Sequence, residues 1–313
     1  MRAVVLILLV FALGLSPAQG AEQTITLGGM NVTVWAQETA DSVGRPVIIF
    51  SHGFHGCATQ SRFLMEAFAS SGYLVFAPDH HDAACKRGIS SWFQKPAVPF
   101  RQPLNWNETT YRDRAEDIRR LIDAIRADDR FRTRADWSRL GLAGHSLGGY
   151  TVLGLGGGWS SWKLSGVKAV LALSPYSQPF IEQRTLSGLS VPVMYQGGTL
   201  DTGVTPSVRK SEGSYDQSPE PKYFVEFDQA GHLAWADIGR KTARASIVSY
   251  SLAFMNHYVK GEPGEPVLTQ ALPGVSLLRY ESELGTNGAG EPYTPPLPIV
   301  SPTRTIHSGG PRN

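Results

Sequence analysis

The sequence predicts an α/β protein: a single domain with a mostly parallel central sheet covered by helices on both faces. Three observations predict it. Continuous apolar runs of strand length recur along the chain ("PVIIFSHG", "YLVFAPDH", "RLGLAG", "VKAVLALS", "VPVMYQG", "KYFVEF"), and an unbroken apolar run marks a strand buried on both faces. Helix-period stretches stand between many of these runs, the pattern of parallel strands joined by right-handed crossovers. The hydrophobic fraction, 42% of 313 residues, is enough for one large core.

In chain order, "MRAVVLILLVFALGLSPAQGAEQ" combines Arg2, an apolar run from Ala3 to Leu15 and small residues at Ala18, Gly20 and Ala21. This is the layout of a secretory signal peptide over residues 1–20, too short and wrongly flanked for a stable membrane span. A secreted or periplasmic mature chain without a membrane span is expected. "QTITLGGMNVTVWAQE" alternates in strand period and predicts an antiparallel pair turning at Gly28 and Gly29. The first buried strand, "PVIIFSHG", is followed by a helix-like stretch, "ATQSRFLMEAFASSG", that ends at Gly72. After "YLVFAPDH" comes an irregular segment from His80 to Trp106. "NETTYRDRAEDIRRLIDAIRADD" then reads as an amphipathic helix with Ile118, Leu121, Ile122 and Ile125 on one face. A further helix is expected from Leu147, and a last one over "TARASIVSYSLAFMNHYVKG". The predicted catalytic domain is 21–261. Residues 262–313 turn to Pro, Gly, Ser and Thr and read as an extension that either packs over the surface or stays loose.

Lys plus Arg at 29 against Asp plus Glu at 27 leaves almost no net charge. No basic stripe interleaved with aromatics is present, so nucleic acid is not an expected partner. A monomer is expected. The two cysteines, Cys57 and Cys85, would meet an oxidising compartment after export, which predicts one disulfide contributing about 3 kcal/mol.

The chemistry centres on "LGLAGHSLGGYTVLGLGGG". Its G-H-S-L-G core, Gly144 to Gly148, lies where a buried strand ends and a helix begins, the context of a nucleophile elbow. Gly144 and Gly148 relieve the crowding of a strained turn, so that Ser146 projects as nucleophile and the N–H of Leu147 points at a developing oxyanion. A hydroxyl needs a base, and the base an orienting group. Acid and base follow an elbow serine in that order, on loops after later strands. "VPVMYQGGTLDTGV" supplies Asp201 and "KYFVEFDQAGHLAW" supplies His232. Asp228 is nearer to His232 in sequence but reads as a turn former. His52, His55, His80 and His81 read as loop or shell residues, and His145 adjoins the serine on a turn whose neighbours point apart. The second oxyanion donor is expected in "SHGFHGC", where Gly53 lets the backbone turn and Phe54 offers its N–H, with His55 as the alternative.

At these residues the sequence resembles the α/β-hydrolase superfamily, and within it the dienelactone-hydrolase-like and platelet-activating-factor-acetylhydrolase-like serine esterases. The resemblance runs from Pro46 to Gly261 through "SHGFHGCATQSRFLMEAFASSGYLVFAPDHHDA", "GLAGHSLGGYT", "YQGGTLDTGV" and "AGHLAW". The chain is also similar to cutinase-type polyester hydrolases, with an aromatic residue after the strand that follows the elbow. In "LSPYS" that residue is Tyr176, a candidate wall for the acyl group; His145 and Trp106 are the other candidate substrate-binding residues. Two departures stand out. The nucleophile is serine where dienelactone hydrolases use cysteine, and the acetylhydrolase acid position, after "AVLALS", holds Ser174. Asp201 must then supply the acid.

The expected activity is that of a serine carboxylesterase needing no cofactor, acting on moderately apolar or polymer-derived esters. Trp92, Phe93, Phe100 and Trp106 are expected to border the cleft as a wall or partial lid. An amidase or peptidase would use the same three residues. A metal hydrolase built on "PDHHDAAC" (Asp79, His80, His81, Asp82, Cys85) matches no familiar zinc spacing, and no metal is expected. A non-catalytic binding protein would need none of the three residues.

Overall fold

The computed structural model describes residues 21–37, 43–84 and 95–287. The predicted signal peptide, Cys85, Trp92, Phe93 and the last part of the extension lie outside the described residues. Strands β1 (Ala21–Leu27), β2 (Met30–Ala36), β3 (Arg45–Ser51), β4 (Leu74–Pro78), β5 (Ala135–His145), β6 (Val167–Leu173), β7 (Val193–Gly198), β8 (Lys222–Phe227), β9 (Val275–Ser282) and β10 (Gly285–Asn287) form one sheet. Their order across it is β1-β2-β4-β3-β5-β6-β7-β8-β9-β10. The six strands from β4 to β8 pair in parallel, and the flanking strands pair antiparallel.

Strand β3 explains the two cores. Side chains alternate along a strand, so Val47 and Ile49 face one side and Ile48 and Phe50 the other. The first side is covered by helix α2 (Arg112–Ala127), through the predicted stripe Ile118, Leu121, Ile122 and Ile125, and by helix α3 (Leu147–Leu153). The second is covered by helix α1 (Arg62–Ser70), through Leu64, Met65 and Phe68, and by α7 (Arg244–Met255), through Ile247, Tyr250 and Phe254. The helices after β3 and β5, which are neighbours in the sheet, therefore lie on opposite faces. Their connections diverge at the carboxyl edge and open a crevice there, the place where open α/β sheets bind ligands. Three short helices, α4 (Gln178–Gln183), α5 (Thr205–Arg209) and α6 (Ser214–Gln217), fill the loops beyond β6 and β7.

The β1–β2 hairpin turns at Gly28 and Gly29, with φ of +55° and +77°, a pair of left-handed conformations that glycine adopts without steric cost. Helix α2 begins at Arg112, five residues later than the periodicity predicts, because the Asn107 side chain accepts the N–H of Thr109 at 2.8 Å and holds a turn there. The sheet also continues past Gly261. Strand β9 lies antiparallel to β8, and Lys222 and Glu281 pair across it at 3.5 Å. Part of the predicted extension is thus sheet. Among the described residues no helix is long and apolar enough to cross a membrane.

Candidate active site

Ser146 joins β5 to α3 with φ 55° and ψ −115°, a strained backbone for a residue with a side chain. Its neighbours make the turn possible. A Cβ on Gly144 would lie 2.3 Å from the Gly148 carbonyl oxygen, and one on Gly148 only 1.9 Å from that of Ser51. The elbow is thus pressed against the end of β3, which brings the loop carrying Gly53 and Phe54 beside the serine.

The three residues predicted from distant parts of the sequence converge at the carboxyl edge. Ser146 Oγ lies 2.9 Å from His232 Nε2, and His232 Nδ1 lies 3.3 Å from Asp201 Oδ2. Asp201, just beyond β7, is buried, whereas the His232 side chain is 37% exposed and faces the cleft. Burial alone would raise the Asp201 carboxyl, but hydrogen bonds and the charge of His232, with Ser174 and Thr205, hold it below the usual carboxylate range. Ser174, at the end of β6, is an unpredicted contact: its hydroxyl donates to Asp201 Oδ2 and lies 2.8 Å from His232 Nδ1. Asp228 is a turn residue, as its sequence position suggests, with Oδ1 accepting the Gln229 N–H at 3.0 Å.

A cavity of about 840 Å³ opens over Ser146 and His232, walled by Phe54, Phe100, Tyr176 and Leu200. Tyr176 is held by its hydroxyl, which donates to the Phe100 carbonyl at 2.7 Å. Two predicted lining residues lie elsewhere. Trp106 is 1% exposed and packs behind the wall on Phe100 and Tyr176, its indole N–H donating to Pro99. Its size and apolar body draw it into the core. His145 is 2% exposed and points away from the cleft because alternate residues at the end of β5 face opposite sides. Gln60 Nε2 donates to its Nδ1 at 2.9 Å, so Nε2 carries the proton and donates to the His232 carbonyl at 2.8 Å. Burial pushes the His145 imidazole down to about 3 and keeps it neutral.

The backbone around Phe54 is organised from below. The Gly53 carbonyl accepts from His52 Nδ1 at 2.7 Å, Gly56 N–H at 2.9 Å and Arg114 Nη2 at 3.3 Å. In a trans peptide the N–H points opposite to the carbonyl, so the Phe54 N–H is turned away from these donors. Gln60 Oε1 accepts the Gly53 N–H at 3.0 Å, which links this loop through His145 to His232. Arg114 is itself fully buried and paired with Asp82 at 3.1 Å. Sequence reading missed Gln60 and Arg114, since one lies in a turn and the other on a helix whose periodicity marks it only as polar.

The His/Asp run after β4 is dispersed rather than convergent. Asp82 pairs with Arg114, His80 with Asp117 at 2.9 Å and with Ser51, and His81 with Asp113. Among the described residues no group of three or more His, Cys, Asp or Glu side chains is disposed to hold a metal ion. Cys57 Sγ lies 3.5 Å from Thr59 Oγ1; Cys85, its expected disulfide partner, lies outside the described residues.

Sheet order and the strand–turn–helix elbow at Ser146 define the α/β-hydrolase fold. Residues 107–263 match the family described as PET hydrolase-like, and the chain belongs to that family. Residues 23–110 are similar to platelet-activating factor acetylhydrolase, isoform II. Cutinase est1 of Thermobifida alba is 27% identical over 214 residues, 68% of this chain and 60% of that protein. Cutinase 1 of Thermobifida cellulosilytica is 26% identical over 219 residues, 69% of each chain. The match to a cutinase of Thermobifida fusca (strain YX), also 26% identical, covers 69% of this chain and 60% of that one.

Proposed function

We propose that this protein is an exported serine carboxylic-ester hydrolase acting on moderately apolar or polymer-derived esters. The observation that carries the reading is the 2.9 Å contact between Ser146 Oγ and His232 Nε2 at the floor of an aromatic-walled cavity. Ser146 Oγ attacks the acyl carbon while His232 Nε2 takes its proton, and Asp201 offsets the imidazolium charge. The N–H groups of Phe54 and Leu147 hold the oxyanion. Collapse expels the alcohol, which leaves with the proton from His232. Water then repeats the sequence on the acyl-enzyme and releases the acid. Relatedness to cutinases supports ester over amide chemistry, and the N-terminal signal-like sequence supports export.

The test is hydrolysis of a short and a medium-chain p-nitrophenyl ester by the mature protein and by Ser146→Ala, Asp201→Ala and His232→Ala. Turnover by the wild type with collapse in all three variants is the expected result. Retained rate in folded Ser146→Ala, or an inert wild type, overturns the reading.

A further inference from the structure

Asp201 Oδ2 is crowded. It receives the hydroxyl of Ser174, that of Thr205 at 3.1 Å, and His232 Nδ1 only at 3.3 Å. A carboxylate oxygen offers about two lone pairs, and the two hydroxyl protons fill them. Thr205 is not free to turn aside, because its Oγ1 also accepts the Gly198 N–H at 3.0 Å. The imidazole proton has a nearer acceptor: Ser174 Oγ at 2.8 Å. Its direction follows from the rest of the chain of contacts. For His232 Nε2 to accept from Ser146, Nδ1 must carry the ring proton, and Ser174, whose own proton goes to Asp201, has lone pairs left to receive it.

We propose that Ser174 is a positioning residue that carries the link between His232 and Asp201, holding the imidazole in the tautomer that leaves Nε2 free to take the Ser146 proton. The proposal rests on the hydrolase reading for its catalytic consequence but not for its geometry. Ser174 is fully buried at the end of β6, its backbone N–H fixed at 2.7 Å by the Gln196 carbonyl of β7, so the hydroxyl is held in place between the two strand ends. The titratable groups facing His232 are Asp201 and the buried, neutral His145. With Ser174 in place, the imidazolium formed during attack meets its nearest acceptor in a hydroxyl that is itself polarised by a carboxylate.

Removing the hydroxyl separates this from a packing role. In Ser174→Ala the imidazolium loses its nearest acceptor, so kcat/KM is expected to fall about tenfold and the acid limb of the pH–rate profile to move to lower pH. In an Asp201→Ala background the same substitution is expected to cost less than twofold, because the link is already broken. Ser174→Gly suits the positive φ of 42° at this position and serves if the alanine variant folds poorly. NMR of histidine-labelled protein supplies a readout independent of turnover. The His232 Nδ1–H resonance, assigned with His232→Gln, is expected to move further in Ser174→Ala than in Asp201→Asn. A larger displacement in Asp201→Asn, an unmoved acid limb, or full additivity with Asp201→Ala overturns the proposal. An inert wild type would instead defeat the hydrolase reading and leave the NMR comparison to decide this one.

Discussion

The imidazole of His145 holds the backbone of His232, not its ring: Nε2 donates to the His232 carbonyl oxygen at 2.8 Å, while Gln60 donates to Nδ1 from the other side. Gln60 also accepts the Gly53 N–H at 3.0 Å. One buried imidazole therefore ties the loop of the general-base candidate to the loop of an oxyanion-donor candidate.

His145→Phe removes both hydrogen bonds, takes the donor from the His232 carbonyl and leaves Gln60 Nε2 only the 3.4 Å contact with Ser61 Oγ. Ester hydrolysis is expected to drop about tenfold, and unfolding free energy by about 1–3 kcal/mol, the cost of stranding a buried polar group. Urea unfolding beside steady-state rates checks both, and a rate within twofold of wild type would count against the tie.

Arg114 is buried against Asp82 and supplies donors to the carbonyls of His52 and Gly53, at 2.8 and 3.3 Å. Arg114→Met leaves the Asp82 charge uncompensated and is expected to cost about 3–5 kcal/mol. Arg114→Met with Asp82→Leu removes both charges and should recover much of that stability without recovering activity, because the Gly53 carbonyl has still lost a donor. Unfolding midpoints and rates on the same samples test the split.

Gly148→Ala puts a Cβ 1.9 Å from the Ser51 carbonyl oxygen, which only a backbone shift can relieve. Misplacement by about an ångström at a reacting group costs on the order of 100-fold in rate. The variant is expected to lose at least that much or to accumulate poorly. Near-native turnover would mean that the elbow and β3 are less closely apposed.

Acid should unfold the protein early. Burial, with the Arg114 charge, pushes His52 down to about 3, burial holds His145 at about 3, and His80 lies well below its ordinary range. Each is a base whose folded pKa is depressed. Its contribution is complete above about pH 6.5 and is lost as pH falls towards 3, at up to about 1.4 kcal/mol per pH unit for each group. Asp82 behaves in the same direction lower down: burial would raise it, but Arg114 and the histidines outweigh burial and hold it at about 2. Stability is then lost as pH falls below about 4. Urea unfolding at pH 7.5, 6.0 and 5.0 should give a falling free energy, and a flat series would show that these histidines take up protons without unfolding.

Local chemistry was legible in the chain itself. The apolar runs mark β3 to β8 because a strand buried on both faces has no polar side to show, and the Ile118 to Ile125 stripe marks α2 because one helix face must meet the sheet. Ser146, Asp201 and His232 could be singled out because each follows a buried strand, and the glycines around Ser146 mark the tight turn. The tertiary structure decided what depends on direction and distance across the sheet. It turned His145 inward and buried Trp106, although both lie close to the site in sequence or in composition. It added β9 and β10 beyond the expected boundary, and set Ser174 and Gln60 against partners more than 25 residues away. The physical reason is common to all of these. Periodicity reports which side of an element is apolar, whereas a hydrogen bond between strand ends depends on sheet order and register, which no single segment contains.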